Sequence, residues 1–238
     1  MGNVLKRALD VFVALILLIL SSPFILIACF SVWLQDGKSP IFVQDRVGKN
    51  AQTFRLIKVR SMVVHQSSNS ADTTSRDDPR ITPLGKLLRR SKIDELPQLI
   101  NVLKGDMSLV GPRPQIIAEF ALYTEAEREL VLAKPGITDL ASIVFLDLEE
   151  IAANYHDPNA AYFELVRPWK ARLGVYYVRH HDFGLDIAIL FLTAVAFINR
   201  EQAWLLLGRI LEKRKAEPQL VDIASRRIQL KPTPLLRQ

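Results

Sequence analysis

The sequence predicts a mostly helical α/β chain that starts with a membrane-embedded segment and contains one short β-hairpin. Three observations support this fold class. Residues 11–34 form an apolar run without a charge, residues 41–43 and 54–59 resemble a short pair of strands around a turn, and apolar residues after Asp94 recur at helical spacing. The 238 residues suffice for one domain of ordinary size together with a membrane segment.

Composition restricts the classes of partner. The formal net charge is +6, from 31 basic and 25 acidic residues, which suits an anionic membrane surface or phosphate-bearing substrates. There is no zinc-finger spacing, no aromatic RNA-binding signature and no long Lys/Arg run, so nucleic acid is not an expected partner. Cys29 is the single cysteine; an internal disulfide is therefore excluded and a reducing, cytosolic face is permitted.

The N-terminal apolar run is long enough to cross a bilayer. Its 24 residues exceed the roughly 20 that a spanning helix needs. The run is longer than the usual ~7–15-residue core of a signal peptide, and no small-residue cleavage site ends it. Two arrangements remain: a straight spanning helix, or a re-entrant hairpin that dips into the membrane and returns.

The middle and the flanks of this run favour the hairpin. Ser22 and Pro23 lie near its centre, where proline removes a backbone donor and bends or breaks a helix. The serine hydroxyls there could bond the freed carbonyls. Basic residues, which favour the cytoplasmic side, stand on both flanks: Lys6, Arg7, Lys38, Arg46, Lys49, Arg55, Lys58 and Arg60. Proline kinks also occur in spanning helices, so that alternative stays open.

Further elements follow in order. The pattern predicts a β-hairpin turning at Gly48-Lys49-Asn50, a mobile polar loop over 66–79 and a short helix over 82–90. A helix capped by Asp94 then carries an apolar stripe and stops at Gly105; the stripe consists of Leu96, Leu99, Ile100 and Leu103. After it, Pro112 and Pro114 hold Arg113 on a stiff extended segment.

The C-terminal half is predicted to be helical. Residues 114–132 and 160–178 show mixed helical spacing, and the apolar stretch 185–198 is too short to span a membrane. That stretch is either a buried core helix or a helix on the membrane surface. The basic C-terminal segment is either solvated or attracted to anionic lipid.

Asp94 and Glu95 are the candidate catalytic pair. Taken alone, adjacent carboxylates at a helix start are an ordinary cap. The functional interpretation is that a carboxylate, kept ionised by the helix dipole, attacks a phosphorus atom as a covalent nucleophile. Nearby Arg89 and Arg113, with Lys58 through the fold, would screen an anionic diphosphate, and guanidinium groups suit bidentate phosphate binding. The neighbouring carboxylate could hold Mg²⁺.

Several segments resemble one family in turn. They are Asp78-Pro79-Arg80-Ile81-Thr82 with Gly85, Leu88-Arg89-Arg90, the run DELPQLINVLKGDMSLVGPRP over 94–114, and FRLIKVRSM over 54–62, where Val59 and Ser61 depart from a Lys-x-Arg-Thr-Met element. With the opening KRALD and the Ser-Pro in the apolar run, the chain resembles bacterial sugar transferases, the monotopic polyprenol-phosphate phosphoglycosyl transferases. The resemblance covers most of residues 5–199.

The resemblance implies an architecture. It implies a re-entrant membrane helix of the helix-break-helix type, broken at Ser22-Pro23 with both ends in the cytoplasm. A small cytosolic, membrane-associated catalytic domain would follow. The expected division is 1–36 for the membrane helix, 37–200 for the catalytic domain and 201–238 for a basic tail. The expected location is the bacterial inner membrane with the catalytic domain facing the cytoplasm, and a homo-oligomer is an open expectation.

The resemblance also implies a reaction. Asp94 would attack the sugar-bearing phosphate of a UDP-sugar, UMP would leave, and a polyprenyl phosphate, usually undecaprenyl phosphate, would take the sugar phosphate. Glu95 would help to bind Mg²⁺, while Lys58, Arg89 and Arg113 would contact phosphate or substrate. The product would prime a surface glycan such as an exopolysaccharide or lipopolysaccharide.

One departure and two rival functions accompany this expectation. Many family members continue Pro-Gly-x-Thr with Gly, whereas Asp139 follows Thr138 here, which leaves the sugar unassigned. Some members also carry a large N-terminal extension with spanning helices; without it, this chain is expected to be the catalytic unit alone. The rivals are a non-catalytic membrane scaffold for glycan assembly and a transferase in which the lipid phosphate attacks directly while Asp94 holds metal.

Overall fold

The computed structural model describes residues 2–63, 78–153, 155 and 158–236. Most of the predicted polar loop over 66–79 lies outside these residues. The described part is mostly helical and contains a short antiparallel β-hairpin after one long N-terminal helix, as the sequence predicts.

The regular elements are α1 (Gly2–Asp36), β1 (Ile41–Val47), β2 (Thr53–Val59), α2 (Pro83–Arg90), α3 (Gln98–Lys104), β3 (Ser108–Val110), α4 (Ile117–Ala121), β4 (Gly136–Thr138), α5 (Leu140–Val144), α6 (Leu148–Ala153), α7 (Pro158–Ala161), α8 (Arg167–His180), α9 (Phe183–Ile198), α10 (Arg200–Lys213) and α11 (Pro218–Ala224). Short 3₁₀ turns cover Lys49–Ala51, Ile93–Glu95 and Glu127–Leu132, and a π-helical turn covers Tyr162–Val166.

Helix α1 runs through the Ser-Pro pair without interruption. Pro23 cannot donate to the carbonyl of Ile19, four residues earlier. The hydroxyl of Ser22 donates to that carbonyl at 2.8 Å, as expected for a serine beside a freed acceptor. The structure therefore has one helix where a helix, a break and a second helix were predicted, because the serine replaces the bond that the proline removes.

The N-terminal end of α1 is bonded to the domain that follows. Lys6 forms an ion pair of 2.7 Å with the buried Asp186 of α9. Arg7 donates to two carbonyls in the last turn of α3, at 2.6 and 2.9 Å. The carboxylate of Asp10 accepts the backbone N–H of Leu109 on β3 at 3.0 Å. Lys6 and Arg7, which the sequence analysis treats only as basic flanks of the membrane segment, thus hold α1 against the domain.

The C-terminal end of α1 contacts the same domain. Ala28 and Val32 pack against Val59 of β2 and Leu88 of α2, and Arg60 binds the carboxylate of Asp36 through both of its terminal nitrogens. Between the two ends the helix exposes large apolar side chains, among them Ile19, Leu20, Phe24, Leu26 and Ile27. Described by length and composition alone, α1 is apolar enough to cross a membrane.

The four strands form two small β-sheets. β1 and β2 pair antiparallel, with Val47 opposite Thr53, and this confirms the predicted hairpin. β3 and β4 pair parallel, a contact that the sequence did not predict. A Cβ on Gly136 would lie 2.1 Å from the nitrogen of Gly111, so the close approach of the two strands requires glycine there.

In the C-terminal half, the structure confirms some of the predicted helices and contradicts one. The predicted helix over 114–132 is replaced by the short α4 and a separate 3₁₀ turn. The helix over 160–178 is found as α7, the π turn and α8, and the one over 185–198 as α9. α9 buries Leu185 and Ile189 while Phe191 and Phe197 stay exposed on it, so it has both a core face and an apolar outer face.

The main core lies among α3, α5 and α8 to α11. Its most buried side chains include Leu99, Leu140, Ile143, Leu173, Leu185, Ile189, Leu207, Leu211 and Ile223. The chain after residue 200 thus contributes two packed helices, α10 and α11, before the extended segment that follows them.

Candidate active site

Asp94 lies on the 3₁₀ turn between α2 and α3. Lys92, just before the turn, adopts a left-handed conformation with φ 59°. α3 begins at Gln98, and the residue in its N-cap position, Pro97, offers no side-chain cap. The prediction that Asp94 caps this helix is therefore wrong, because Asp94 lies within the 3₁₀ turn, and Glu95, Leu96 and Pro97 separate it from the first residue of α3. Its side chain is not used by the α3 backbone.

The Asp94 carboxyl is buried and incompletely bonded. The residue is 6% exposed, and its Oδ1 has no hydrogen-bond partner among the described residues. Burial, and then the charge of Glu95, raise the pKa of Asp94 to about 6, against the opposing charges of Lys58, Lys92 and Arg89. The prediction that a helix dipole keeps this pKa low is therefore wrong, because burial raises it. The group is still mostly ionised at neutral pH, as a nucleophile requires.

Glu95 is held by Arg113. One guanidinium nitrogen bonds Oε1 of Glu95 and the other lies 3.4 Å from Oε2. Burial alone would raise the pKa of Glu95, but the charge and hydrogen bond of Arg113, helped by Lys92 and Lys58, lower that pKa to about 2. The two neighbouring carboxyls therefore have separated pKa values, which is typical of groups with different chemical tasks.

Lys58 reaches the pair from β2. Its pKa is lowered to about 8, by burial first and then by Arg46, Arg89 and Arg113, while Asp94 raises it. The ammonium lies 5.1 Å from the ring centroid of Phe42 on the partner strand. The hairpin thus brings one cation close enough to Asp94 to affect its pKa, as expected from the sequence.

Arg89 is oriented by the residue that departs from the family element. Its Nε donates to the hydroxyl of Ser61 at 2.9 Å. A Cβ on Gly85 would lie 1.9 Å from the carbonyl oxygen of Ser61, so α2 can approach the end of β2 only with glycine there. Ser61 keeps the hydroxyl of the threonine it replaces, and the departure is conservative for this contact.

A buried asparagine sets the distance between the hairpin and the Asp94 turn. Asn101 of α3 is fully buried, donates to the carbonyl of Arg55 at 2.8 Å and accepts the N–H of Ile57 at 3.1 Å. These bonds join α3 to β2 beside Lys58. The uncharged polar residue Asn101, which lies between the apolar residues Ile100 and Val102 of α3, was the signal that sequence reasoning could have used.

The structure brings all five expected site residues together. They are Lys58, Arg89, Asp94, Glu95 and Arg113. Ser22 and Pro23 lie apart from them, in the middle of α1. Sequence reasoning missed Lys170 and gave no site role to Asp139, yet both belong to the electrostatic surroundings of Arg113.

The donor set suits a hard cation only in part. No group of three or more His, Cys, Asp or Glu side chains in the described ranges is arranged to hold a metal ion. The orphaned Oδ1 of Asp94 and the carboxylate of Glu95 nevertheless provide oxygen donors, and Mg²⁺ commonly binds one or two carboxylates together with substrate phosphates and water. These residues therefore fit Mg²⁺ if substrate supplies further oxygens.

Comparison with known proteins adds independent information. The sequence profile of a family described as "Bacterial sugar transferase" matches residues 1–200. The chain is 33% identical over 216 residues to the undecaprenyl-phosphate galactose phosphotransferase of Salmonella typhimurium, covering 84% of this chain and 42% of that protein. It is 34% identical over 195 residues to the UDP-N-acetylgalactosamine-undecaprenyl-phosphate N-acetylgalactosaminephosphotransferase of Aeromonas hydrophila, covering 79% and 42%.

A shorter relative matches along most of its length. The uncharacterized sugar transferase EpsL of Bacillus subtilis is 40% identical over 190 residues, which is 80% of this chain and 85% of EpsL. The chain thus spans less than half the length of the first two relatives and most of the third.

Proposed function

We propose that this chain, which belongs to the bacterial sugar transferase family, transfers a sugar 1-phosphate from a UDP-sugar to polyprenyl phosphate. The observation that carries the proposal is the buried, unbonded Oδ1 of Asp94 beside Lys58 and Arg89. The names of the Salmonella and Aeromonas relatives, which specify undecaprenyl phosphate as acceptor, support the same substrates.

The first half-reaction would form a covalent intermediate. An oxygen of Asp94 attacks the phosphorus that carries the sugar, the bond from this phosphorus to the bridging oxygen breaks, and UMP leaves with the bonding electrons. Lys58 and Arg89 offset the negative charge of the diphosphate, which would otherwise repel the carboxylate. No proton is needed by the departing phosphate, so a general acid is not required.

The second half-reaction restores the enzyme. An oxygen of the lipid phosphate attacks the same phosphorus, the bond to Asp94 breaks, and the carboxylate re-forms as the diphosphate link to the lipid is made. Glu95 stays ionised because of Arg113. It therefore carries no proton to donate in this step. We assign Glu95 to Mg²⁺, whose charge would stabilise the diphosphate oxygens when bound.

We further propose that α1 is re-entrant and that the domain lies on the cytoplasmic face of the inner membrane. Both ends of α1 contact the same domain, through Arg7 and through Asp36, while its apolar middle is exposed. A proline within a helix is a common site of bending. This arrangement would place the site at the membrane surface, where polyprenyl phosphate and a surface-glycan precursor are handled.

The test is UMP release from a panel of UDP-sugars in the presence of polyprenyl phosphate. Asp94→Asn should reduce the rate by about 10³-fold or more, since a covalent nucleophile is lost, while the circular dichroism spectrum stays that of the wild type. A non-catalytic scaffold would release no UMP from any donor. Equal rates in wild type and Asp94→Asn would assign catalysis to another group.

A further inference from the structure

Two cations lie together beside the residue that ends α3. A Cβ on Gly105 would lie 3.5 Å from a terminal nitrogen of Arg7 and 3.7 Å from the ammonium of Lys134. Gly105 has a φ of 94°, a conformation that side chains rarely adopt, so the space between the two cations stays open. Arg7 belongs to α1 and Lys134 to the segment before β4, and the fold therefore brings two cations from distant parts of the chain to one place.

Neither cation has a carboxylate partner. No Asp or Glu of the described residues lies within ion-pair distance of Arg7 or Lys134. Arg7 donates only to two carbonyls of α3, and Lys134 is half-buried. Burial and the charge of Arg7 lower the pKa of Lys134, while Asp10 and Asp106 oppose this effect. The two positive charges are thus incompletely compensated.

The two acids nearest to these cations bind other groups. Oδ1 of Asp10 accepts from the hydroxyl of Ser108 at 3.1 Å and from the backbone N–H of Leu109 at 3.0 Å. Oδ2 of Asp106 accepts from the side-chain amide of Asn101 at 3.2 Å. A phosphate in the open space over Gly105 could accept charge-assisted hydrogen bonds from a cation on each side. The place therefore suits a phosphate-bearing ligand.

An apolar groove on α1 begins at the same arginine. The residues that line this α1 groove lie on one face of the helix: Val4, Arg7, Ala8, Val11, Phe12 and Leu15. The side chains of Val4 and Phe12 are 76% and 65% exposed. The groove extends for about 16 Å, at 1.5 Å per residue, toward the apolar middle of α1. A ligand that fills both places must carry a phosphate and a hydrocarbon chain.

Resting on the proposed insertion of α1 into the membrane, we propose that Arg7 and Lys134 bind the phosphate of an anionic phospholipid, whose acyl chain lies in the α1 groove. Charge complementarity selects an anionic headgroup. The site lies after the last residue of α3, whereas Asp94 precedes the first, and the seven residues of α3 extend for about 10 Å. A phosphate at this place is out of reach of the Asp94 carboxylate, so the occupant is a bilayer lipid and not the polyprenyl phosphate that reacts.

The experiment measures lipid binding to the full-length protein in detergent by native mass spectrometry. The probes are dioleoyl phosphatidylglycerol, dioleoyl phosphatidylcholine and undecaprenyl phosphate, each titrated separately. Lys134→Met keeps an aliphatic stem and removes the charge, so phosphatidylglycerol binding should weaken by about fivefold, as for loss of one cation beside anionic lipid. Phosphatidylcholine binding should stay within about twofold of wild type, because this headgroup has no net charge. Lys134→Arg should restore phosphatidylglycerol binding.

Ala8→Trp tests the groove separately from the cations. Ala8 is exposed on α1, and an indole there would fill the α1 groove. We expect weaker binding of dioleoyl phosphatidylglycerol and unchanged binding of dihexanoyl phosphatidylglycerol, whose short chains hardly enter the groove. Equal binding of the dioleoyl lipid by wild type and Ala8→Trp would contradict the placement of the chain.

The matched control is Lys213→Met, which removes an exposed charge from α10 and should change no affinity. Unchanged phosphatidylglycerol binding in Lys134→Met, or the same loss in Lys213→Met, would overturn the site. A loss confined to undecaprenyl phosphate would assign the cations to the acceptor and contradict the proposal. UMP release by the same preparations separates the two proposals: turnover of a UDP-sugar without preference for phosphatidylglycerol refutes the lipid site alone, and the expected lipid preference without turnover of any donor refutes the transferase alone.

Discussion

Asp94 and Glu95 differ in environment more than in chemistry. Asp94 is buried with an unbonded oxygen, so its pKa rises to about 6. Glu95 is bonded by Arg113, so its pKa falls to about 2. One carboxyl is therefore free to react and the other stays charged and fixed. The adjacent carboxyls differ because Arg113 bonds Glu95, while Oδ1 of Asp94 has no hydrogen-bond partner among the described residues.

These values predict a bell-shaped pH profile for the first half-reaction. Below about pH 6 the Asp94 carboxyl takes up a proton and loses its nucleophilicity, so kcat/KM for the UDP-sugar should fall by about tenfold per pH unit. Above about pH 8 Lys58 loses its proton, and with it the charge that screens the diphosphate. The measurement is UMP release at low donor concentration from about pH 4.5 to 9.5, a range that extends about one and a half units beyond the pKa on each side.

The matched variant for this profile is Lys58→Arg. A guanidinium does not titrate in this range, so the alkaline limb should move upward while the acidic limb stays in place. A profile that is flat between about pH 5 and 7 would contradict the assignment of Asp94 as the group that must be ionised.

At the scale of the element, α1 is the least conventional part of the chain. One helix carries an apolar middle and two ends that bond the same domain, through Lys6 near its start and Asp36 at its end. Ser22 compensates the bond that Pro23 removes. A helix built this way can bend at the proline without leaving a carbonyl unsatisfied in lipid.

This arrangement predicts the accessibility of two engineered cysteines. In a Cys29→Ser background, Val4→Cys and Lys49→Cys should both be protected from a membrane-impermeant maleimide in intact spheroplasts and labelled after permeabilisation. Both positions are exposed in the fold, so protection reports the membrane. Labelling of Val4→Cys alone in intact spheroplasts would show that α1 spans. Pro23→Ala should raise that labelling, because a straight helix favours spanning.

At the scale of the whole molecule, elements with a local signal were predictable. The β1–β2 hairpin, α8 and α9 follow from turn residues and apolar periodicity. The pairing of β3 with β4 was not predictable, because strands of three residues show no alternation and lie far apart in sequence. The predicted helix over 114–132 failed because its mixed spacing did not reveal where the chain turns between α4 and the next 3₁₀ turn.

The sequence predicted which residues form the site better than it predicted their pKa values. The family segments identified Lys58, Arg89 and Arg113, and the fold brings them to the carboxylates. The raised pKa of Asp94 depends on its burial in the folded chain, which a local cap argument does not describe. Lys170 lies on α8, and the effect of Arg113 on its pKa arises only in the tertiary fold.

The central claim is that Asp94 carries the sugar phosphate covalently. The most direct measurement is mass spectrometry of the purified chain after incubation with a UDP-sugar that it turns over, in the absence of lipid acceptor. We predict a gain equal to one sugar phosphate on the peptide that contains Asp94, lost on addition of polyprenyl phosphate and absent in Asp94→Asn. An adduct on another residue, or turnover without any adduct, would contradict the account.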